Sequence, residues 1–220
     1  MTPSRFRKLV VTLNLRQPDL TVVMEGVHKP HNLSAVVRSC DAVGVSEVHA
    51  TSTERQVRLA QKTAGGNRRW IPVTTHSSIA VAYEKLRTTG FNIIAAHAGA
   101  EAAEFRSVDY TKKIALVFGG ERKGLSTPAM AGADHCITIP TQGMAGSLNV
   151  SVAAALILYE AQRQRQLAGF YEKRRLTDVV YNRTLFEWLH PDVAEYCRKH
   201  KRDYPKINNH GELIDFTMVS

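Results

Sequence analysis

Apolar positions along the 220-residue chain alternate between two periods. Short runs rich in Val, Ile, Leu and Ala, at 20–27, 47–51, 70–74, 91–96, 114–118 and 136–140, read as six strands. Between and after them, apolar residues recur at spacings of three and four over 32–43, 77–88 and 147–166, which predicts helices. Asn32 is placed to cap the first of these and Gly44 to end it, while Gly90 and Gly169 end the other two. Strands alternating with helices predict an α/β fold, a mostly parallel sheet covered on both faces. Ahead of the first strand, Thr2 can cap a helix with Pro3 in its first turn, Phe6, Leu9, Val10 and Leu13 on one face, and Pro18 at its close. After Gly169 the chain turns polar and basic with interspersed aromatics, which predicts helices packing on the core or on a second subunit. The expected organisation is a basic helical extension at 1–19, a core at 20–168 and a second basic helical extension at 169–220.

Composition narrows the functional classes. The longest nearly apolar stretch, 150–159, is too short to cross a bilayer and contains Ser151. The first residues lack the apolar block of a signal peptide, so a cytoplasmic protein is expected. Cys40, Cys136 and Cys197 form no CxxC pair, which argues against a disulfide framework or a zinc site, and Cys40 is expected as a small buried hydrophobe. The chain carries 29 Lys and Arg against 20 Asp and Glu, a formal charge of +9. The cations gather in runs: Arg5, Arg7, Lys8 and Arg16; Arg55 to Arg69; Arg163 to Arg175; Arg198 to Arg202. One such run is an ordinary solvated face, but several of them favour a nucleic-acid partner.

The glycines also discriminate. A dinucleotide-binding sheet needs a glycine-rich turn after its first strand, yet EGVHKPHN holds one glycine, which excludes a nicotinamide-dependent oxidoreductase. Glycines instead follow the fifth and sixth strands, in GGERKGLS at 119–126 and TQGMAGS at 141–147. Ligands bind such sheets at the carboxyl ends of the strands, and Gly119, Gly120, Gly124, Gly143 and Gly146 would let backbone approach backbone or a small molecule there. Neither loop has the GKS or GKT of a phosphate-cradling loop, so ATP hydrolysis is disfavoured. Polar residues near the same strand ends stand out: Arg38 on an otherwise apolar helix, Glu121 between glycines, and Asn149 just after Ser147, which is placed to cap the last core helix. No HxxxH or carboxylate cluster suggests a metal.

Three segments, HNLSAVVRSCDAVG around Asn32 and Arg38, FGGERKGLS around Glu121, and IPTQGMAGSLNVSVAAALILYEAQRQR at 139–165, resemble in order and spacing the SpoU/TrmH family of RNA ribose 2′-O-methyltransferases, within the SPOUT superfamily. The likeness extends through nearly the whole chain; Thr141, where a methionine is common, is a departure. The resemblance implies a deep trefoil knot, S-adenosylmethionine (AdoMet) as methyl donor without a metal, and an obligate homodimer that shares an RNA site. It implies AdoMet contacts from Ala96, His97, Gly119, Gly120, Ile139 and Leu148. Catalytic work would fall to Arg38, held by Asn32, with Glu121 and Asn149 ordering the loops and Ser147 binding RNA backbone or capping the helix. The N-terminal cations Arg5, Arg7, Lys8 and Arg16, with Arg163 and Arg165, would contact tRNA phosphates. The basic extensions at both ends fit members that methylate guanosine 18 in the D-loop of tRNA, with no DNA or membrane partner. Another tRNA position, ribosomal RNA, or a tRNA-binding chaperone without catalysis are the alternatives.

Overall fold

The computed structural model describes residues 2–27, 29–52, 70–99, 102–120 and 123–214. The basic stretch from Arg55 to Arg69 and the side chain of Glu121 lie outside these residues. Two compact units divide the chain: Gln17–Phe170, and the two ends, Met1–Arg16 with Tyr171–Ser220.

The larger unit is built on seven parallel strands: β1 (Leu20–Glu25), β2 (Val48–Thr51), β3 (Val73–His76), β4 (Asn92–Ala96), β5 (Ala103–Glu104), β6 (Ile114–Gly119) and β7 (His135–Thr138). Their order is β3-β2-β1-β6-β4-β7-β5. The two faces separate by residue parity, because successive side chains of a strand point to opposite sides. Leu20, Val22 and Met24 of β1 and Ile114, Leu116 and Phe118 of β6 join one core. That core is completed by Leu33, Val36, Val37 and Cys40 of α2 (Pro30–Ala42) and by Ala154, Ile157, Leu158 and Ala161 of α5 (Val150–Leu167). Val23, Ile93, Ala95, Ala115 and Val117 form the other, against α3 (Ile79–Thr88) and α4 (Thr127–Ala131). Central strands buried on both faces explain why β1 and β6 read as mostly apolar runs without polar alternation. Full burial of each such Val or Leu contributes about 1.5–3 kcal/mol relative to exposure.

Several boundaries differ from expectation for identifiable reasons. The run expected at 70–74 begins its strand only at Val73, because Pro72 has no N–H for the ladder; its carbonyl accepts from Val48 N–H at 3.0 Å. Helix α2 starts at Pro30, with Lys29 at the N-cap and no side-chain cap bond, so Asn32 lies within the first turn. Proline's fixed φ pre-organises that first turn. Asn149, and not Ser147, caps α5, its Oδ1 accepting from Ser151 N–H at 2.8 Å. β5 and α4, two and five residues long, are too short for periodicity to reveal.

In the smaller unit α1 (Pro3–Asn14) packs on α6 (Asp178–Leu189), and α6 packs on α7 (Pro191–Lys199). Thr2 caps α1, its hydroxyl accepting from Arg5 N–H at 3.3 Å. Phe186 stacks on Tyr204 with ring centroids 4.6 Å apart, over a small core with Val193, Ala194 and Cys197. No helix among the described residues is long and apolar enough to cross a membrane.

Candidate active site

Three neighbouring strands, β6, β4 and β7, end on a cavity of about 320 Å³. Its walls come from the last residues of these strands and the loops that follow: Ala96 and His97 at the end of β4, Gly119, Gly120, Gly124 and Leu125 at the end of β6, and Ile139, Thr141 and Gly146 to Leu148 after β7. The floor is apolar, from Phe118, Ile137, Val150 and Ile157. All six residues expected to touch the cofactor, Ala96, His97, Gly119, Gly120, Ile139 and Leu148, line this one space, together with Ser147.

Two glycines have no substitute here. A Cβ on Gly119 would lie 2.2 Å from the carbonyl carbon of Gly124, and one on Gly120 would lie 2.3 Å from the carbonyl oxygen of Gly26. Both obstacles are backbone, so the loop can pass only without side chains. Gly143 and Gly146 differ, since a Cβ at either meets open space. Close approach of backbone to backbone therefore applies to the first glycine loop and not to the second, where Gly146 faces the cavity.

The remaining polar residues divide into two groups. Asn149 Nδ2 donates to Asn32 Oδ1 at 3.4 Å, tying the start of α5 to the start of α2. Ser147 and Asn149 are exposed, as is Arg38 on α2. Arg5, Arg7 and Lys8 of α1 are exposed as well, and Arg163 of α5 is exposed and paired with Glu160 at 2.7 Å. Hydrogen bonds from Arg163 and Gln164 hold the Glu160 carboxyl below its usual range despite partial burial.

Two arginines expected at the RNA surface are instead fully inside. Arg165 is 0% exposed. Its Nε donates to the Tyr110 carbonyl at 2.9 Å, and its Nη1 donates to Gln17 Oε1 at 3.2 Å and Asp19 Oδ1 at 2.5 Å. Its Nη2 donates to the carbonyls of Asp19 and Lys112 at 3.1 and 2.8 Å. With its guanidinium donors engaged and no exposure, Arg165 cannot reach a phosphate. Residues two apart on a helix do not share a face, and here Arg163 faces outward while Arg165 faces the core. Arg16 is 1% exposed, its guanidinium carbon 5.3 Å from the Trp188 ring centroid, a cation–π position in the smaller unit.

Sequence reasoning passed over Glu25, which ends β1 beside the cavity wall. Glu25 Oε2 accepts from Ser126 N–H at 2.8 Å and Oε1 accepts from Ser126 Oγ at 2.7 Å. An acid closing an otherwise apolar strand was the available signal.

Residues 19–159 match the SpoU rRNA Methylase family, and residues 163–215 match the family described as SpoU, rRNA methylase, C-terminal. The tRNA (guanosine(18)-2′-O)-methyltransferase of Escherichia coli strain K12 is 46% identical over 215 residues, covering 97% of this chain and 94% of that protein. The crystal structure of the A. aeolicus TrmH/SpoU tRNA modifying enzyme superposes with a TM-score of 0.81 at 38% identity, covering 86% of this chain and 97% of that one. The SpoU methyltransferase AviRb of Streptomyces viridochromogenes, in complex with the cofactor AdoMet, gives a TM-score of 0.62 at 26% identity, covering 69% of this chain and 62% of that one. By these matches, the chain belongs to the SpoU methylase family.

Proposed function

We propose that the protein transfers a methyl group from AdoMet to the ribose 2′-hydroxyl of guanosine 18 in tRNA. The observation that carries this reading is the cavity at the ends of β4, β6 and β7, walled by residues of two of the three family-like segments, those at 118–126 and 139–165, with Ala96 and His97 from β4 and its loop. Its size and apolar lining suit a small, largely buried ligand. Gly119 and Gly120 expose backbone at its wall, where a nucleoside can be held by N–H and carbonyl groups. Ala96, His97, Ile139 and Leu148 would complete the contact with AdoMet, which supplies an electrophilic methyl when bound.

The nucleophile must be oriented in line with that methyl and must lose its proton as it attacks. Arg38 is the candidate for this work. A guanidinium stays protonated, so it does not act as base. It grips an RNA phosphate and the developing oxyanion through its planar fork, and that phosphate or a water accepts the proton. The Asn149–Asn32 contact keeps α5 and α2, and hence Arg38, in register. Arg5, Arg7, Lys8 and Arg163 supply exposed charge for tRNA phosphates.

The same reading includes a homodimer, a deep trefoil knot and a cytoplasmic site of action, where tRNA is found. Val152, Leu156 and Tyr159 are 43 to 55% exposed and fall at spacings of four and three. They leave an apolar stripe along α5 that a second copy would cover. For the knot, the support is that β7, last in the chain, sits between β4 and β5, and that Gly119 packs on the backbone of Gly124 and Leu125 and Gly120 on that of Gly26.

The test uses purified protein, AdoMet carrying a labelled methyl group and an unmodified tRNA transcript. Label at the ribose of guanosine 18, absent when that hydroxyl is replaced by hydrogen, is expected. Methylation of ribosomal RNA or of another tRNA position in its place would overturn the assignment.

A further inference from the structure

We propose that Glu25 is a positioning residue for the cofactor cavity, setting the span of the loop at 119–126 through Ser126. The inference rests on the AdoMet reading above. Both ends of that loop are referenced to this one residue. At the start, Glu25 pairs in the parallel ladder with Gly119. At the end, its carboxylate takes both the N–H and the hydroxyl of Ser126, at 2.8 and 2.7 Å. Between these points lie four residues of the cavity wall: Gly119, Gly120, Gly124 and Leu125.

The burial of Leu125 and the packing of α4 on α3 hold the second end as well, and the carboxylate adds the hydrogen bonds that tie it to β1. Gly124 N–H donates to the Gly120 carbonyl at 2.9 Å, which closes the loop on itself but does not tie it to the sheet. Ser126 Oγ also accepts from Ala129 N–H at 3.2 Å, so the same serine caps α4. Glu25 thus links the end of β1 to the start of α4, on either side of the wall residues Gly119, Gly120, Gly124 and Leu125. Hydrogen bonds to a charged carboxylate are stronger than neutral ones, which suits a short loop that must hold its shape. Because the clasp touches loop geometry and no exposed RNA-facing cation, its loss should appear in cofactor affinity rather than in tRNA affinity.

The experiment measures AdoMet binding by equilibrium dialysis and tRNA binding by filter retention, on the full chain. Glu25→Ala is expected to weaken AdoMet about 10-fold and to change tRNA affinity by less than about twofold. Ser126→Ala removes the hydroxyl contact but keeps the backbone N–H one, so a smaller loss of about threefold is expected. Ser126→Thr keeps the hydroxyl and should restore wild-type cofactor affinity. Should Glu25→Ala not fold, Glu25→Gln keeps the shape and one acceptor, and a loss of about threefold is expected. AdoMet affinity unchanged in folded Glu25→Ala or Glu25→Gln, or an equal loss of AdoMet and tRNA binding, would overturn the proposal. Wild-type protein that takes up no AdoMet would overturn the functional reading itself, and this inference with it.

Discussion

The two ends of the sheet use polar residues in opposite ways. At the amino ends of β1 and β6, Arg165, Asp19, Gln17 and the carbonyls of Tyr110 and Lys112 close on one another, out of solvent. At the carboxyl ends, Ser147, Asn149 and His97 are exposed around a cavity lined by glycine backbone. A charged residue whose donors are engaged inside the protein has nothing left to offer a ligand. Exposed polar groups beside an apolar cavity do. The contrast separates the arginine that holds the fold from the residues available for chemistry, although both kinds look alike in a count of charges.

The largest effect expected at the amino end is on stability. Arg165→Met should cost about 3–5 kcal/mol, since it leaves Asp19 and three carbonyls without their partner. Denaturant unfolding measures it, and a loss below about 1 kcal/mol, the usual worth of an exposed pair, would break the contrast. At the carboxyl end, Gly119→Ala drives a methyl group into the backbone of Gly124 and Leu125. A stability cost of about 1–3 kcal/mol is expected from such overpacking. AdoMet uptake, followed by dialysis, should fall further than that cost alone explains.

Legibility in the sequence follows the same division. The strands were readable because buried runs of Val, Ile and Leu are long enough to show, and β1, β4 and β6 lie within a residue or two of expectation. The glycine loops and their polar neighbours were readable through their family-like motifs. Arg165 was not, because a cation is assigned to the surface by default. Its signal was positional. It continues the stripe of Ala154, Ile157, Leu158 and Ala161 at a spacing of four, whereas Arg163 falls off that stripe. The Glu25–Ser126 clasp was hidden for another reason: 101 residues separate its partners, and no local pattern joins them.

A milder test concerns pH. His49 Nδ1 and His76 Nε2 lie 3.0 Å apart, buried in the β2–β3 edge of the sheet, with one ring donating to the other. Burial above all, with Lys85 nearby, holds both below the usual histidine value, His49 down to about 4, against an opposing pull from Glu47. The folded state therefore keeps these rings neutral where the unfolded chain would protonate them. Stability is fully present above about pH 6.5 and is lost as pH falls from there toward 4. His49→Gln should flatten the pH 5 to 6.5 part of a thermal-melt profile. An unchanged slope would show that the pair does not govern it. The lowered carboxyls of Asp109, Asp134 and Glu160 act at more acid pH and leave that window clear.

The smallest effect is at the exposed arginine. Arg163→Ala should weaken tRNA binding slightly and lower the salt slope by about one counterion, with unfolding unchanged within about 0.5 kcal/mol. A stability loss matching that of Arg165→Met would contradict the assignment of the two side chains.

The central claim, that chemistry lies at the carboxyl end and structure at the amino end, is tested most directly by single-turnover methyl transfer. Wild type, Arg38→Ala and Arg165→Met would be compared at saturating tRNA, below the melting point of each, with AdoMet binding measured alongside. The account predicts a loss of at least about 10³-fold for Arg38→Ala with AdoMet uptake and melting unchanged. It predicts near-normal transfer by Arg165→Met at a temperature where that variant is folded. Near-normal transfer by Arg38→Ala, or a chemical step lost in folded Arg165→Met, would contradict it.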